Sequence, residues 1–280
     1  RRVRTIMKKK RKSNTSLYVV LLIFTVILSF PLMVMISFSL RPREVVFASI
    51  LVPLEITAKN FVSVFSNDLL MRFILNSIIL SLSVAGVAII ISVITGYGFS
   101  RFRFSGKEDL LLLMFATQMF PPVLVAVGFF EIIVKIGLYD NIISLILVNS
   151  ALTLPFSIWM MKGYFDSIPK SIDEAAMIDG CSRIGACFKV VVPISIPGVL
   201  ATGIWAFVQT WSEYLFALTF TSSASNRMVT TGIVDLTGHF VVNWGELMAY
   251  ALIASAPILC LFVFLQQYFV SGLTAGAVKQ

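Results

Sequence analysis

Charge is scarce in this sequence. Asp, Glu, Lys and Arg make up 13% of 280 residues against 58% hydrophobic ones, and the mean hydropathy is +0.93. A soluble domain of this length needs far more charge to keep its surface wetted, so a soluble globular class is excluded. Cysteine and histidine are also few. Cys181 and Cys187 sit in a polar segment and Cys260 in an apolar run, with no metal-like spacing, which argues for free thiols and against a disulfide framework. His239, the single histidine, makes no metal site by itself. A phosphate loop is missing too: Gly106-Lys107-Glu108 has neither the first glycine nor the hydroxyl residue that such a loop needs. Apart from a basic tail there is no internal repeat or low-complexity tract.

What the sequence has is apolar runs of roughly 20 residues, each long enough to cross a hydrocarbon core. The pattern predicts an all-α integral membrane protein with about six spans, at 17–40, 73–100, 110–134, 141–162, 194–220 and 247–270. The organisation expected is a basic tail over 1–16, a transmembrane domain over 17–270 and a short tail over 271–280. The opening Arg1 to Lys12 resembles the basic flank of a signal peptide. The charge-free stretch from Leu17 to Leu40 is too long for a cleaved core, so an uncleaved first span is expected.

Lysine and arginine bias sets the orientation. With the amino terminus in the cytoplasm, the inner segments carry most of the 22 basic residues, from the Arg1–Lys12 cluster through Arg101, Arg103, Lys170 and Arg183 to Lys279. The outer segments carry only Arg41, Arg43, Lys59, Arg72, Lys135 and Arg227. Both termini are therefore expected inside. The net charge of +8 is read as topology held against anionic lipid, with no nucleic-acid partner. Outside, the acids Glu44, Glu55, Asp68, Asp140, Asp235 and Glu246 balance the bases, so there is no strong field to steer a charged ligand.

The inner loop over 163–193 is long for a simple connection. Ser171 with Glu174 three residues on has capping-box spacing and predicts a short helix from Ile172. Gly180 is placed to end that helix, because glycine accepts the left-handed conformation of a C-terminal cap. A second short helix is expected from about Ser182 to Val192, stopped by Pro193. In the first helix Ile172, Ala175 and Ala176 share a face, with Asp173 and Asp179 remaining polar. Spacing leaves two readings open: a peg for a groove in another protein, or an amphipathic loop lying on lipid headgroups.

Glu174-Ala175-Ala176, Gly180 and Val190-x-Val192-Pro193 together resemble the Glu-Ala-Ala signature of binding-protein-dependent ABC importer permeases. Val190 and Val192 stand where the family usually has isoleucine and leucine. Further segments resemble the carbohydrate-importer branch, similar to the smaller permease of the maltose system: Asn60-Phe61 through Phe65, Trp211-Ser212-Glu213-Tyr214, Asn243 to Leu247 and Gly272 to Lys279.

The resemblance implies a non-catalytic permease subunit in a bacterial cytoplasmic membrane. It implies a second, homologous and distinct permease, two cytoplasmic ATPase subunits that carry ATP and Mg, and an extracytoplasmic solute-binding protein. This chain would bind no cofactor itself. The loop then becomes a coupling helix centred on Glu174, Ala175, Ala176 and Gly180 and supported by Ile172 and Asp179. The tail over 271–280 is implied as a second ATPase contact. The outer loop from Thr221 to Glu246 is implied to enter the binding protein's cleft.

Charge inside spans is costly, and only Glu131 and Glu213 qualify. Glu131 lies near a span end, where it reads as structural. Glu213, flanked by Trp211 and Tyr214, reads either as a sugar-hydroxyl acceptor or as an interhelical hydrogen bond. Gln118, followed by Met119-Phe120-Pro121-Pro122, is expected to break the third span, and the freed carbonyls need protein or a wet cavity. Asn149, Asn76 and Gln209 are further polar candidates along a pathway. The competing class is an ATP-independent channel or secondary carrier, which predicts charged relays or repeated half-helices within the spans. The balanced outer face is equally compatible with neutral oligosaccharides, acidic ones and glycerol phosphates.

Overall fold

The computed structural model describes the backbone of residues 15–43, 47, 53, 55–238 and 242–277, with side chains from 17 to 264 among these. The basic cluster Arg1–Lys12, Glu44 and His239 lie outside the described residues. Among the described residues thirteen α-helical segments follow in order: α1 Thr15–Ser39, α2 Lys59–Ser66, α3 Asp68–Arg101, α4 Lys107–Thr117, α5 Pro122–Lys135, α6 Ile142–Asp166 and α7 Ser171–Ile178. Then come α8 Arg183–Ala186, α9 Val192–Ile194, α10 Ile196–Trp211, α11 Leu215–Phe220, α12 Val229–Thr237 and α13 Trp244–Ala277. Among the described residues there are no strands. Four of the helices among the described residues are long and apolar enough to cross a membrane, and two sharply bent pairs raise the number to six if each pair is one span. The expected all-α membrane fold is what is found.

Helix α3 packs against α6 and α10 at the centre, and α10 packs in turn against α13. Small residues allow the close approach that apolar lipid does not enforce by itself. A Cβ added at Gly96 in α3 would lie 2.9 Å from the Met161 Cβ of α6. At Gly198 in α10 it would lie 2.5 Å from the Tyr164 ring. Asn67 and Asn141 start α3 and α6 with side-chain caps on the backbone N–H groups of the first turn. Helix α1 runs along α13 and turns its apolar side chains outward, which only lipid or another protein chain can cover.

The third span breaks where expected, at Gln118 to Pro121, with a bend of 96° between α4 and α5. Three other expectations about the spans change. The fifth span is not continuous over 194–220, because α10 stops at Trp211 and α11 begins at Leu215. Its entry differs as well. Pro193 does not stop the preceding helix but sits inside α9, after a π-helical turn over Cys187–Val191. The 80° bend falls at Ser195 instead. Pro197 has no N–H to give the Pro193 carbonyl, so the ladder opens between the two prolines. The Ser195 hydroxyl donates back to the Val191 carbonyl at 2.7 Å. At the chain's other end α13 runs to Ala277, beyond the expected limit of the last span at 270.

Candidate functional site

Helix α7 and its cap sit at one end of the bundle, beside the last turns of α3 and α6. Lys170 is already helical, and the carbonyls of Pro169 and Lys170 accept from Ile172 and Glu174. Ser171 therefore lies inside the first turn and not before it, and no side chain caps α7, so the expected capping box is not formed. The other end follows expectation. Gly180 has φ +88°, its N–H donates to the Met177 carbonyl, and Cys181 N–H reaches back to Ala176. These two bonds make a Schellman cap.

The exposed face of α7 also differs from the expected one. Ile172 packs against the chain's own core cluster with Val191 and Phe165, and Ala176 is buried. Asp173 is buried, and its carboxylate accepts from Arg101 Nε at 3.0 Å and from Tyr97 Oη at 2.6 Å. Arg101 further donates to the Phe165 and Ile168 carbonyls, at 2.8 and 3.2 Å. One guanidinium thus fastens α7, the end of α6 and the end of α3 together. What α7 offers outward is Glu174, Ala175, Ile178 and Asp179, with Gly180 beyond. Ile178 is 86% exposed, and Ile184 of α8 is 73% exposed. Sequence reasoning missed both isoleucines and the Arg101–Asp173 pair. A polar loop containing two solvent-facing isoleucines is the signal that could have found the outward face.

Deeper in the bundle a recess of about 180 Å³ opens where α4 meets α5, walled by α6, α10 and α11. It brings together Gln118, Asn149, Gln209 and Glu213 from three separate parts of the sequence. Gln118 donates to the Leu152 carbonyl at 3.1 Å, and Asn149 to the Leu145 carbonyl at 2.9 Å. The Glu213 carboxylate occupies the break between α10 and α11, accepting from Phe216 N–H at 2.7 Å and Ala217 N–H at 3.0 Å. It caps α11, a role distinct from the interhelical hydrogen bond considered for it. Phe156 and Trp205 meet with ring centroids 4.4 Å apart and form an aromatic wall that sequence reasoning did not single out. Residue spacing gives no sign of that wall, since aromatics are spread throughout the chain.

The remaining candidates lie elsewhere. Trp211 is buried on the opposite side of α10, where its Nε1 donates to the Ala254 carbonyl of α13 at 3.1 Å. Tyr214 precedes α11 and is not among the residues lining the recess. Asn76 ties α3 to the carbonyls of Ser225 and Arg227. Glu131 pairs with Lys135 one turn on, with both side chains exposed. Among the described residues no cluster of His, Cys, Asp and Glu has the makings of a metal site.

Comparison with known proteins gives one consistent result. A family model described as binding-protein-dependent transport system inner membrane component matches residues 88–274. The sulfoquinovosyl glycerol transport system permease of Agrobacterium fabrum is 40% identical over 80% of this chain and 78% of its own length. The trehalose/maltose transport system permease of Thermococcus litoralis is 34% identical over 92% of this chain and 94% of its own. Among solved structures, a bacterial ABC transporter involved in import of the acidic polysaccharide alginate has a chain that superposes with a TM-score of 0.80. That match has 21% identity and covers 91% of this chain and 96% of the other. The matched span includes the α7 segment, the recess and both bent helix pairs, and the chain belongs to the family of binding-protein-dependent transport system inner membrane components.

Proposed function

We propose that this permease component imports a sugar or oligosaccharide across a bacterial cytoplasmic membrane, with both termini inside. It would form half of the pathway, opposite a second, homologous and distinct permease. Two cytoplasmic ATPase subunits would supply the work, and an extracytoplasmic binding protein would deliver the sugar. The relatives named for sulfoquinovosyl glycerol and for trehalose and maltose support a carbohydrate cargo. A recess of about 180 Å³ is smaller than the roughly 300 Å³ of a complete small-molecule pocket, which suits one wall of a shared pathway.

The observation that carries the coupling role is the division of α7 into two faces. Its inner face is pinned by Asp173 to Arg101, while Glu174, Ala175 and Ile178 are left uncovered. A helix fixed on one side and bare on the other transmits displacement: an ATPase gripping the bare face moves α3 and α6 with it. Only a difference in contacts between the two ATPase states can shift the bundle between inward-open and outward-open forms. The test is copurification of the ATPase with a tagged chain, together with its turnover when binding protein and sugar are added. Ala175→Arg should lose both while the chain still folds. An ATPase that stays bound and coupled to this variant would overturn the docking role.

A further inference from the structure

We infer that the recess beside Gln118 receives an uncharged, hydroxyl-rich glycosyl unit and turns away carboxylate, sulfonate and phosphate groups. This rests on the carbohydrate reading above and goes beyond it, to the charge of the cargo. The first observation is electrostatic. Among the described residues no lysine, arginine or histidine lines the recess, and its one ionisable group is Glu213. That carboxyl is already held by two backbone N–H groups of α11, so its oxygens are committed acceptors. An anion entering a low-dielectric wall needs a counter-charge, and this wall supplies none.

The second observation concerns hydrogen bonding. Thr117 and Thr153 have given their hydroxyl protons to backbone carbonyls, leaving oxygen acceptors behind. Gln118 and Asn149 each commit one amide N–H in the same way, which leaves each with one further N–H and a side-chain oxygen, so the lining both donates and accepts. A sugar hydroxyl donates as well as accepts and fits such a lining, whereas a carboxylate, sulfonate or phosphate oxygen only accepts. The Trp205 indole N–H is a buried donor with no acceptor among the described residues, and a hydroxyl oxygen would satisfy it. Phe156 and Trp205 supply the flat apolar surface that a pyranose ring's C–H face covers. Sulfoquinovosyl glycerol and trehalose or maltose, the cargoes in the relatives' names, fall on opposite sides of this division. The recess places this chain with the second.

The experiment uses the assembled transporter in lipid nanodiscs without binding protein, reading the tryptophan emission that disappears in Trp205→Phe. Maltose and trehalose are the neutral probes; digalacturonate and glycerol 3-phosphate are the anionic ones. Quenching by a neutral probe, at least tenfold stronger than by either anion, is the expected result. Gln118→Leu should weaken it about tenfold, the worth of one hydrogen bond. Equal or stronger quenching by an anion overturns the inference and leaves carbohydrate import standing. So does neutral-sugar uptake by the same transporter with no change in Trp205 emission, which puts the sugar on the partner's wall. If cells carrying the transporter take up no saccharide, the carbohydrate reading fails first and the inference falls with it.

Discussion

Arg101 and Asp173, 72 residues apart in sequence, form a 3.0 Å ion pair with both side chains more than nine-tenths buried. Arg101 ends α3, a central spanning helix, and Asp173 lies in the first turn of α7. The pair is a direct link between α7 and the bundle. Its burial matters because a charge pair in water is weak and screened, whereas this one is enclosed and further hydrogen-bonded by Tyr97 and two backbone carbonyls.

Removing one partner should therefore be costly. Asp173→Asn leaves the Arg101 guanidinium buried without its counter-charge, which costs about 3–5 kcal/mol in typical buried pairs. Thermal unfolding of the purified chain in detergent should show a large drop for Asp173→Asn and for Arg101→Met. The double variant should recover part of it. A drop below ~1 kcal/mol for Asp173→Asn would mean that the pair does not fasten α7.

Gly180 separates backbone strain from steric bulk. Its φ of +88° is unfavourable for any other residue, yet a Cβ there would meet nothing within 4 Å. Gly180→Ala should thus cost about 1–2 kcal/mol through the left-handed conformation alone. Gly180→Asn should cost less, because asparagine tolerates that region. Copurification of the ATPase should fall in the same order, Gly, Asn, Ala. Equal binding by all three would detach the cap from docking.

Much of this was legible in the sequence, and the failures share a cause. The spans, the break at Gln118 and the cap at Gly180 follow from apolar length, paired prolines and a glycine that must adopt positive φ; each is a local rule. The outward face of α7 was misjudged because helical spacing places residues on a face without saying which face meets the bundle. Arg101 decides that, from 72 residues away. The break after Trp211 was missed for a similar reason: nothing between Ser212 and Tyr214 forbids a helix. The recess needed the 96° bend, whose size no residue pattern encodes.

Asp140 gives a pH dependence at the opposite end. It is a non-glycine residue with positive φ, 58°, and its carboxylate accepts from the N–H groups of Ser222 and Ser223 at 2.9 and 3.1 Å. Burial pushes its pKa up, but these donors outweigh burial and hold the carboxyl below its usual range. A carboxyl depressed in the folded state adds stability at pH values above its unfolded value, about 3.9. That stability is lost as pH falls through the folded value. Thermal unfolding of the wild type should therefore weaken below about pH 4 more than that of Asp140→Asn. Parallel curves for the two proteins would remove Asp140 as the cause.

Glu213 can be tested for its two separable roles. As the cap of α11 it needs an acceptor, and glutamine keeps one oxygen whereas alanine keeps none. Glu213→Ala should cost about 0.5–2 kcal/mol, the usual loss for a helix cap, and Glu213→Gln clearly less. As the one acidic group lining the recess it can carry a negative charge that glutamine cannot. Glu213→Gln should then leave unfolding nearly unchanged while narrowing the preference for neutral over anionic probes in the nanodisc measurement. Alanine and glutamine having the same effect on stability would show that the cap contributes little. A probe preference unmoved by glutamine would mean that the anion barrier lies in the missing counter-charge of the walls and not in this carboxylate.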